Sequence, residues 1–171
     1  MSRLSTMSPA ALRALFSPNA DDTLVTLLTV TGAGLAEPIR LADNFDQRLS
    51  ETDEDVLYGI VSRGEQYMFL PMEVVLPSDE EAAAPRASIV LHDVTRILIP
   101  TIRTLTEALE VTIELVLKST PDVVEASFPG FFMSHVPYNA DAITVQLDVE
   151  SLAAEPFPCH TMTPSYFPGL F

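Results

Sequence analysis

Two stretches of this chain alternate so strictly that only one conformation suits them. Val111, Ile113, Leu115 and Leu117 interleave with Thr112, Glu114, Val116 and Lys118; Ile143, Val145, Leu147 and Val149 interleave with Thr144, Gln146, Asp148 and Glu150. A period of two places each apolar set on one side of a strand. One dry and one wet face is what an antiparallel sheet shows when one side lies on a core. Weaker segments repeat the theme. Residues 23–31 form a β-branched run ended by Gly32-Ala33-Gly34, and 37–42 suit a returning hairpin partner. Residues 56–62 and 66–76 read as strands around Arg63-Gly64-Glu65, with Pro71 marking a bulge or an edge in the second. Residues 86–93 are strand-like.

Helix signals are few. Ser8 suits an N-cap and Pro9 the first helical position, with Leu12, Leu15 and Phe16 on one face of a helix within residues 5–17. Ser17-Pro18 stops it. Residues 94–107 have near-helical apolar spacing at Ile97, Leu98, Ile102 and Leu105, interrupted by Pro100. Residues 43–55 are polar, 77–85 form an acidic, alanine-rich loop, and 121–140 contain the aromatic run Phe128-Pro129-Gly130-Phe131-Phe132, a loop or short strand. The expected fold is mainly β: an antiparallel β-sandwich or split barrel of seven or eight strands with one or two short helices and extended N- and C-terminal arms. Residues 1–20 are then an N-terminal helical arm, 21–155 a β-rich core domain, and 156–171 a C-terminal docking arm.

Composition removes several function classes. The 171 residues carry 24 acidic against 9 basic side chains, a net charge of −15, with 47 % apolar residues. Disordered acidic chains lack that apolar content, and a repulsive field of this sign gives no direct grip on nucleic acid. No apolar run approaches the roughly 18 residues of a membrane span. Pro9 and Arg13 interrupt any signal-peptide core in the first 16 residues. A single cysteine, Cys159, excludes an intrachain disulfide and fits a reducing compartment.

The surplus is proline, 14 against 6 glycines. Pro156, Pro158, Pro164 and Pro168 all fall in the last sixteen residues, among Phe157, Tyr166, Phe167 and Phe171, where there is no Asp, Glu, Lys or Arg and His160 is the one basic side chain. Such a segment is too broken for helix or central strand and too apolar to remain in water, so it should dock on a surface. Phe157, Tyr166, Phe167 and Phe171 are its candidate partner-binding anchors.

No catalytic or metal constellation stands out. In an extended chain His160 points away from Cys159, which therefore reads as a small apolar residue of the docking arm. His92, Asp93, His135, Asn139, Asp141 and His160 have no recognised metal-ligand spacing. The acidic runs 51–55 and 79–81 share one solvated environment instead of the two that acid/base work requires. Gly32-Ala33-Gly34 lacks the third glycine of a nucleotide loop and reads as a turn. Arg86, Arg96 and Arg103 are candidate interface arginines, with ordinary pairing inside this acid-rich chain as the other reading. No cofactor, metal or enzymatic activity is expected.

Whole phrases point further. Ile39-Arg40-Leu41-Ala42-Asp43-Asn44, Phe69-Leu70-Pro71-Met72-Glu73, the stretch from Asp93-Val94-Thr95-Arg96 to Pro100-Thr101-Ile102-Arg103, and above all Glu155-Pro156-Phe157-Pro158 with Thr163-Pro164-Ser165-Tyr166-Phe167-Pro168-Gly169-Leu170-Phe171 resemble, in this order, the DUF1833 family of tailed-phage and prophage proteins. More distantly, the order of elements is similar to that of the tail tip protein L of phage lambda, whose four-thiolate iron–sulfur cluster a lone Cys159 cannot hold. The resemblance implies a structural part of a siphophage tail tip or baseplate, located in the virion and assembled in the bacterial cytoplasm. Its partners would be further copies in a homo-oligomeric ring and other tail proteins: tail tube, distal tail and central tip or hub. The alternative is an outer-tail receptor- or glycan-binding module with Tyr58, Tyr67, Phe131, Phe132 and Tyr138 as its platform. The acidic face would line the tail lumen or serve solubility.

Overall fold

A computed structural model describes residues 6–17, 20–51, 56–77, 86–92, 109–135, 142–149 and 169. The fold is mainly β. Among the described residues one helix, α1 (Pro9–Phe16), accompanies ten strands: β1 (Leu24–Thr31), β2 (Ile39–Ala42), β3 (Gln47–Glu51), β4 (Val56–Ser62), β5 (Glu65–Phe69), β6 (Met72–Val75), β7 (Arg86–His92), β8 (Glu110–Leu117), β9 (Thr120–His135) and β10 (Ala142–Val149). They form one sheet in the order β3-β4-β5-β2-β1-β8-β9-β10-β7-β6, not closed into a barrel. All pairings are antiparallel except β2 with β5, where Leu41 faces Met68 and Ala42 faces Phe69.

The alternating segments take the centre. β8 lies between β1 and β9, and β10 between β9 and β7. Leu28, Val30, Val111, Ile113, Leu115, Ile143, Val145, Leu147, Ile89 and Leu91 project into one core with Phe128 and Phe131. The other face of β1 is also buried. Val25 and Leu27 meet Ala42, Val116, Ile60 and Tyr67, so the β4–β5 hairpin lies over the side of the sheet that alternation alone leaves wet. Leu27, Leu28, Ile113 and Val116 are each at most 2 % exposed, which makes β1 and β8 the double-sided spine of the fold.

Two residues stitch the far parts of the sheet together. Phe69 ends β5 beside β2, Met72 begins β6 beside Leu91 of β7, and only Leu70 and Pro71 separate them. The Leu70 amide donates to Ala42 at 3.0 Å, while the Pro71 carbonyl accepts from the His92 amide at 2.9 Å. Proline is tolerated here because the ladder changes partner where its missing donor falls. Leu70 fills the main core beneath the step.

Two expectations are corrected. Residues 120–135 are neither a loop nor a short strand but the longest strand of the described chain. Its prolines and glycine sit at irregularities in the β8 pairing: Val111 faces Phe131 and Ile113 faces Phe128, so one extra residue is accommodated at Pro129-Gly130, with Gly130 at φ +78°. A bulge of this kind needs a residue free to adopt positive φ. The polar stretch 43–55 contains β3, held by β4 through Gln47–Gly59 and Glu51–Val56 register despite having Leu49 as its one apolar residue. The expected helix at 94–107 and the arm at 156–171 lie outside the described residues.

Candidate functional site

Three local arrangements present chemistry or surface beyond the core. The first is centred on Arg63. Ser62 faces Glu65 across a two-residue turn in which Arg63 and Gly64 have φ of 53° and 82°, the positive values that match the twist of a tight hairpin. This turn reaches the start of β9: the buried Ser62 hydroxyl donates to the Pro121 carbonyl at 2.7 Å, and the Arg63 amide donates to Asp122. The Arg63 guanidinium forks onto Glu114 of β8, with Nη1 3.1 Å from Oε1 and Nη2 on Oε2. Glu114 raises the arginine's already high pKa through that hydrogen bond and its charge. Tyr67, buried beneath, shares a 3.3 Å hydrogen bond with Thr29, and Arg40 pairs with Glu65 at 3.2 Å. The resulting shallow depression, about 310 Å³ lined by Thr29, Arg40, Arg63, Glu65, Tyr67, Thr112 and Glu114, has both of its cations matched to carboxylates. Its charged pairs fasten β4 and β5 to β2 and β8.

The second arrangement fixes α1. Val116 of β8 faces Val124 and Leu115 faces Ala126, so Glu125 is the extra residue of a β9 bulge. The bulge turns its carboxylate onto Ser8: Oε2 accepts the Ser8 amide and Oε1 the Ser8 hydroxyl, both at 2.7 Å. Ser8 in turn caps the helix, accepting the Ala11 amide at 3.1 Å, and Pro9 follows as expected. Because Ser8 is gripped, the helix meets the sheet along the Ser8–Ala11 side, three residues apart on one face. Ala11 is fully buried, whereas Leu15 and Phe16 of the expected apolar stripe are 48 % and 69 % exposed.

The third is the end of the β3–β4 hairpin. β4 is buried from Gly59 to Ser62 except for half-buried Val61, but Val56, Leu57 and Tyr58 are exposed, and β3 beside them is exposed at every position but Leu49. This half of the hairpin therefore stands off the core. Gly59 marks the crossing point, since a Cβ there would lie 2.0 Å from the Tyr67 carbonyl oxygen. On the projecting part Phe45 contacts Tyr58 at 5.2 Å between ring centroids and Phe69 at 5.0 Å, in the tilted and edge geometries aromatic pairs favour.

The remaining site residues divide simply. Arg86 faces Asp148 across β7 and β10 and pairs with it at 3.3 Å while staying largely exposed, beside a depression of about 380 Å³. Arg96, Arg103, Phe157, Tyr166, Phe167, Phe171, Cys159 and His160 lie outside the described residues. Of the residues expected in an aromatic platform, Tyr58 and Phe132 are exposed, Tyr67 and Phe131 are core residues at 3 % exposure, and Tyr138 is outside the described residues. Among the described residues there is no group of three metal-ligating side chains, and no helix long and apolar enough to cross a membrane. Two carboxylates are perturbed. Burial raises the Asp43 pKa, against the Thr26 amide it accepts at 2.9 Å. The Ser119 hydroxyl lowers that of Asp22. No protein-family model and no curated protein matches the chain.

Proposed function

We propose that this chain is a structural component of a siphophage-type tail tip or baseplate, a subunit of an oligomeric ring joining the end of the tail tube to the central tip proteins. The observation that carries the reading is the open sheet. Among the described residues its terminal strands are β3 and β6, at opposite ends of the order. Two different open edges on one subunit are what head-to-tail ring closure uses, and strand addition is a common way to use them. Apolar side chains exposed next to both edges, Val56 and Leu57 at one and Val75 and Leu76 at the other, add area suited to burial on assembly. The polar depression around Arg63 spends its charges internally, in keeping with scaffold work.

In this reading the proline-aromatic segment 156–171 ties the subunit to its neighbours, its prolines reducing the entropy lost on docking. Truncation after Glu155 in the phage should leave soluble, folded protein and abolish tail assembly; normal tails from that mutant would refute the role. The exposed Phe45–Tyr58 pair favours one alternative, an outer-tail glycan-binding module. Binding of the isolated protein to host cells, lost on Tyr58→Ala, would establish that alternative instead.

A further inference from the structure

The hairpin end and the C-terminal segment are complementary in chemistry. β4 carries Ile60 into the core, and the residues that continue its side of the strand, Tyr58 and Val56, are 45 % and 41 % exposed. An apolar strand face that runs on past the layer it covers is an unfilled half of an interface. Phe45, 42 % exposed, stands against Tyr58 and is backed by Phe69, so the rings are held by one another before any partner arrives. Prearranged aromatic rings lower the ordering cost of binding, and aromatic-lined surfaces are the usual receivers of proline-rich extended segments. Elsewhere, the exposed apolar residues Leu15 and Phe16 on α1, Val75 and Leu76 at the end of β6, and Val123 and Phe132 on β9 offer no such ring pair among the described residues.

We propose that the projecting end of the β3–β4 hairpin, through Phe45, Tyr58 and Val56, receives residues 156–171 of a neighbouring copy, a step that rests on reading this segment as a docking arm. Reach permits a neighbour. The last described strand ends at Val149 and 22 residues follow it. Fully extended at about 3.1 Å per residue, a segment of that length would span roughly 70 Å, against a radius of gyration of about 16 Å for a folded chain this long. Charge does not oppose the contact, because 156–171 has no acidic side chain in a protein whose net charge is −15.

The test uses the full chain with Phe167 replaced by the photoreactive p-benzoylphenylalanine. Irradiation should yield covalent dimers whose crosslinked peptide falls within residues 45–69. Tyr58→Ser should cut that yield at least tenfold, while Tyr58→Phe and the opposite-face variant Leu57→Ser retain it. An unchanged urea midpoint for Tyr58→Ser would show that the loss is local. Crosslinks confined to monomers, crosslinks mapping elsewhere, no dimer at the highest soluble concentration, or indifference to Tyr58→Ser would each overturn the assignment. If one of these results is obtained while truncation after Glu155 still blocks tail assembly, the hairpin site fails and the tail reading stands. Normal tails after truncation remove the tail reading itself.

Discussion

Replacing Arg63 separates two contributions that the β4–β5 turn combines. The residue sits at φ 53°, a left-handed conformation that costs a side-chain-bearing residue about 1 kcal/mol more than glycine. Its guanidinium repays that by gripping Glu114, which is 14 % exposed, from a side chain 41 % exposed. A fully exposed pair would contribute only about 0.2–1 kcal/mol, and a hydrogen bond to a charged group about 1.5–3 kcal/mol. The half-buried geometry places the coupling between them at about 1–2 kcal/mol. Arg63→Ala should therefore destabilise by about 2 kcal/mol, because it strands Glu114 and leaves the parent's backbone strain unrelieved and no longer offset. Arg63→Gly should cost about 1 kcal/mol less than that, since it strands Glu114 but relaxes the turn. The Arg63 amide bond to Asp122 survives in both. Urea unfolding with an unchanged slope measures these values, and a double-mutant cycle with Glu114→Gln isolates the coupling. Equal midpoints for the alanine and glycine variants would show that the turn is not strained, and a coupling below about 0.3 kcal/mol would show that the fork contributes nothing.

Three further outcomes are expected. Glu125→Ala removes both acceptors of Ser8, so hydrogen exchange of the α1 amides should accelerate roughly 100-fold while those of β1 and β8 stay unchanged; acceleration throughout would mean α1 is integral to the core. Gly59→Ala drives a methyl into the Tyr67 carbonyl and the Leu49 side chain, and should cost about 2 kcal/mol or more by forcing β4 from β5; a midpoint shift worth under about 0.5 kcal/mol contradicts that packing. Because burial raises the Asp43 pKa, the folded state keeps that proton to a higher pH than the unfolded chain. Its contribution to stability is thus lost as pH rises above the ordinary aspartate value of about 3.9. Asp43→Asn keeps an oxygen for the Thr26 amide and removes the buried charge, so it should match or exceed the parent in urea at pH 7 and lose that advantage towards pH 4; a large loss at pH 7 contradicts the sign.

What could be read from the sequence was what is local. The alternation at 111–118 and 143–150 marked β8 and β10, Ser8-Pro9 marked the start of α1, and Arg63-Gly64-Glu65 marked a short turn that the register narrows to Arg63-Gly64. β3 escaped because four of its five residues are polar and its place depends on β4. The full length of β9 is hidden in sequence because Pro129 and Gly130 suit a loop or short strand equally, and only the register with β8 reveals a bulge there. The parallel β2–β5 pair has no local signal at all, being made by a chain reversal through β3 and β4. Glu125 looks like any surface acid in sequence; its partner lies 117 residues away. Tyr67 and Phe131 illustrate the converse, aromatic residues that suited a surface platform and a core equally in sequence and that packing puts in the core.

The central pairing of β1 with β8 has a consequence for synthesis. Val25, Leu27, Leu28 and Val30 are apolar towards both faces, yet the strand that covers their open edge begins roughly 80 residues after β1 ends. At about 5–20 residues per second on a ribosome, that edge waits roughly 4–16 s for its partner. During that wait β2, only eight residues further along, is the neighbour at hand, pairing Leu27–Ala42 through Val30–Ile39. The nascent chain thus emerges as a small hairpin with one sticky side, and folding is completed late by a long-range closure of the kind that makes sheet proteins slow. Weakening the β1–β2 hairpin should therefore reduce soluble yield from cells more than it reduces the equilibrium stability of whatever protein does fold.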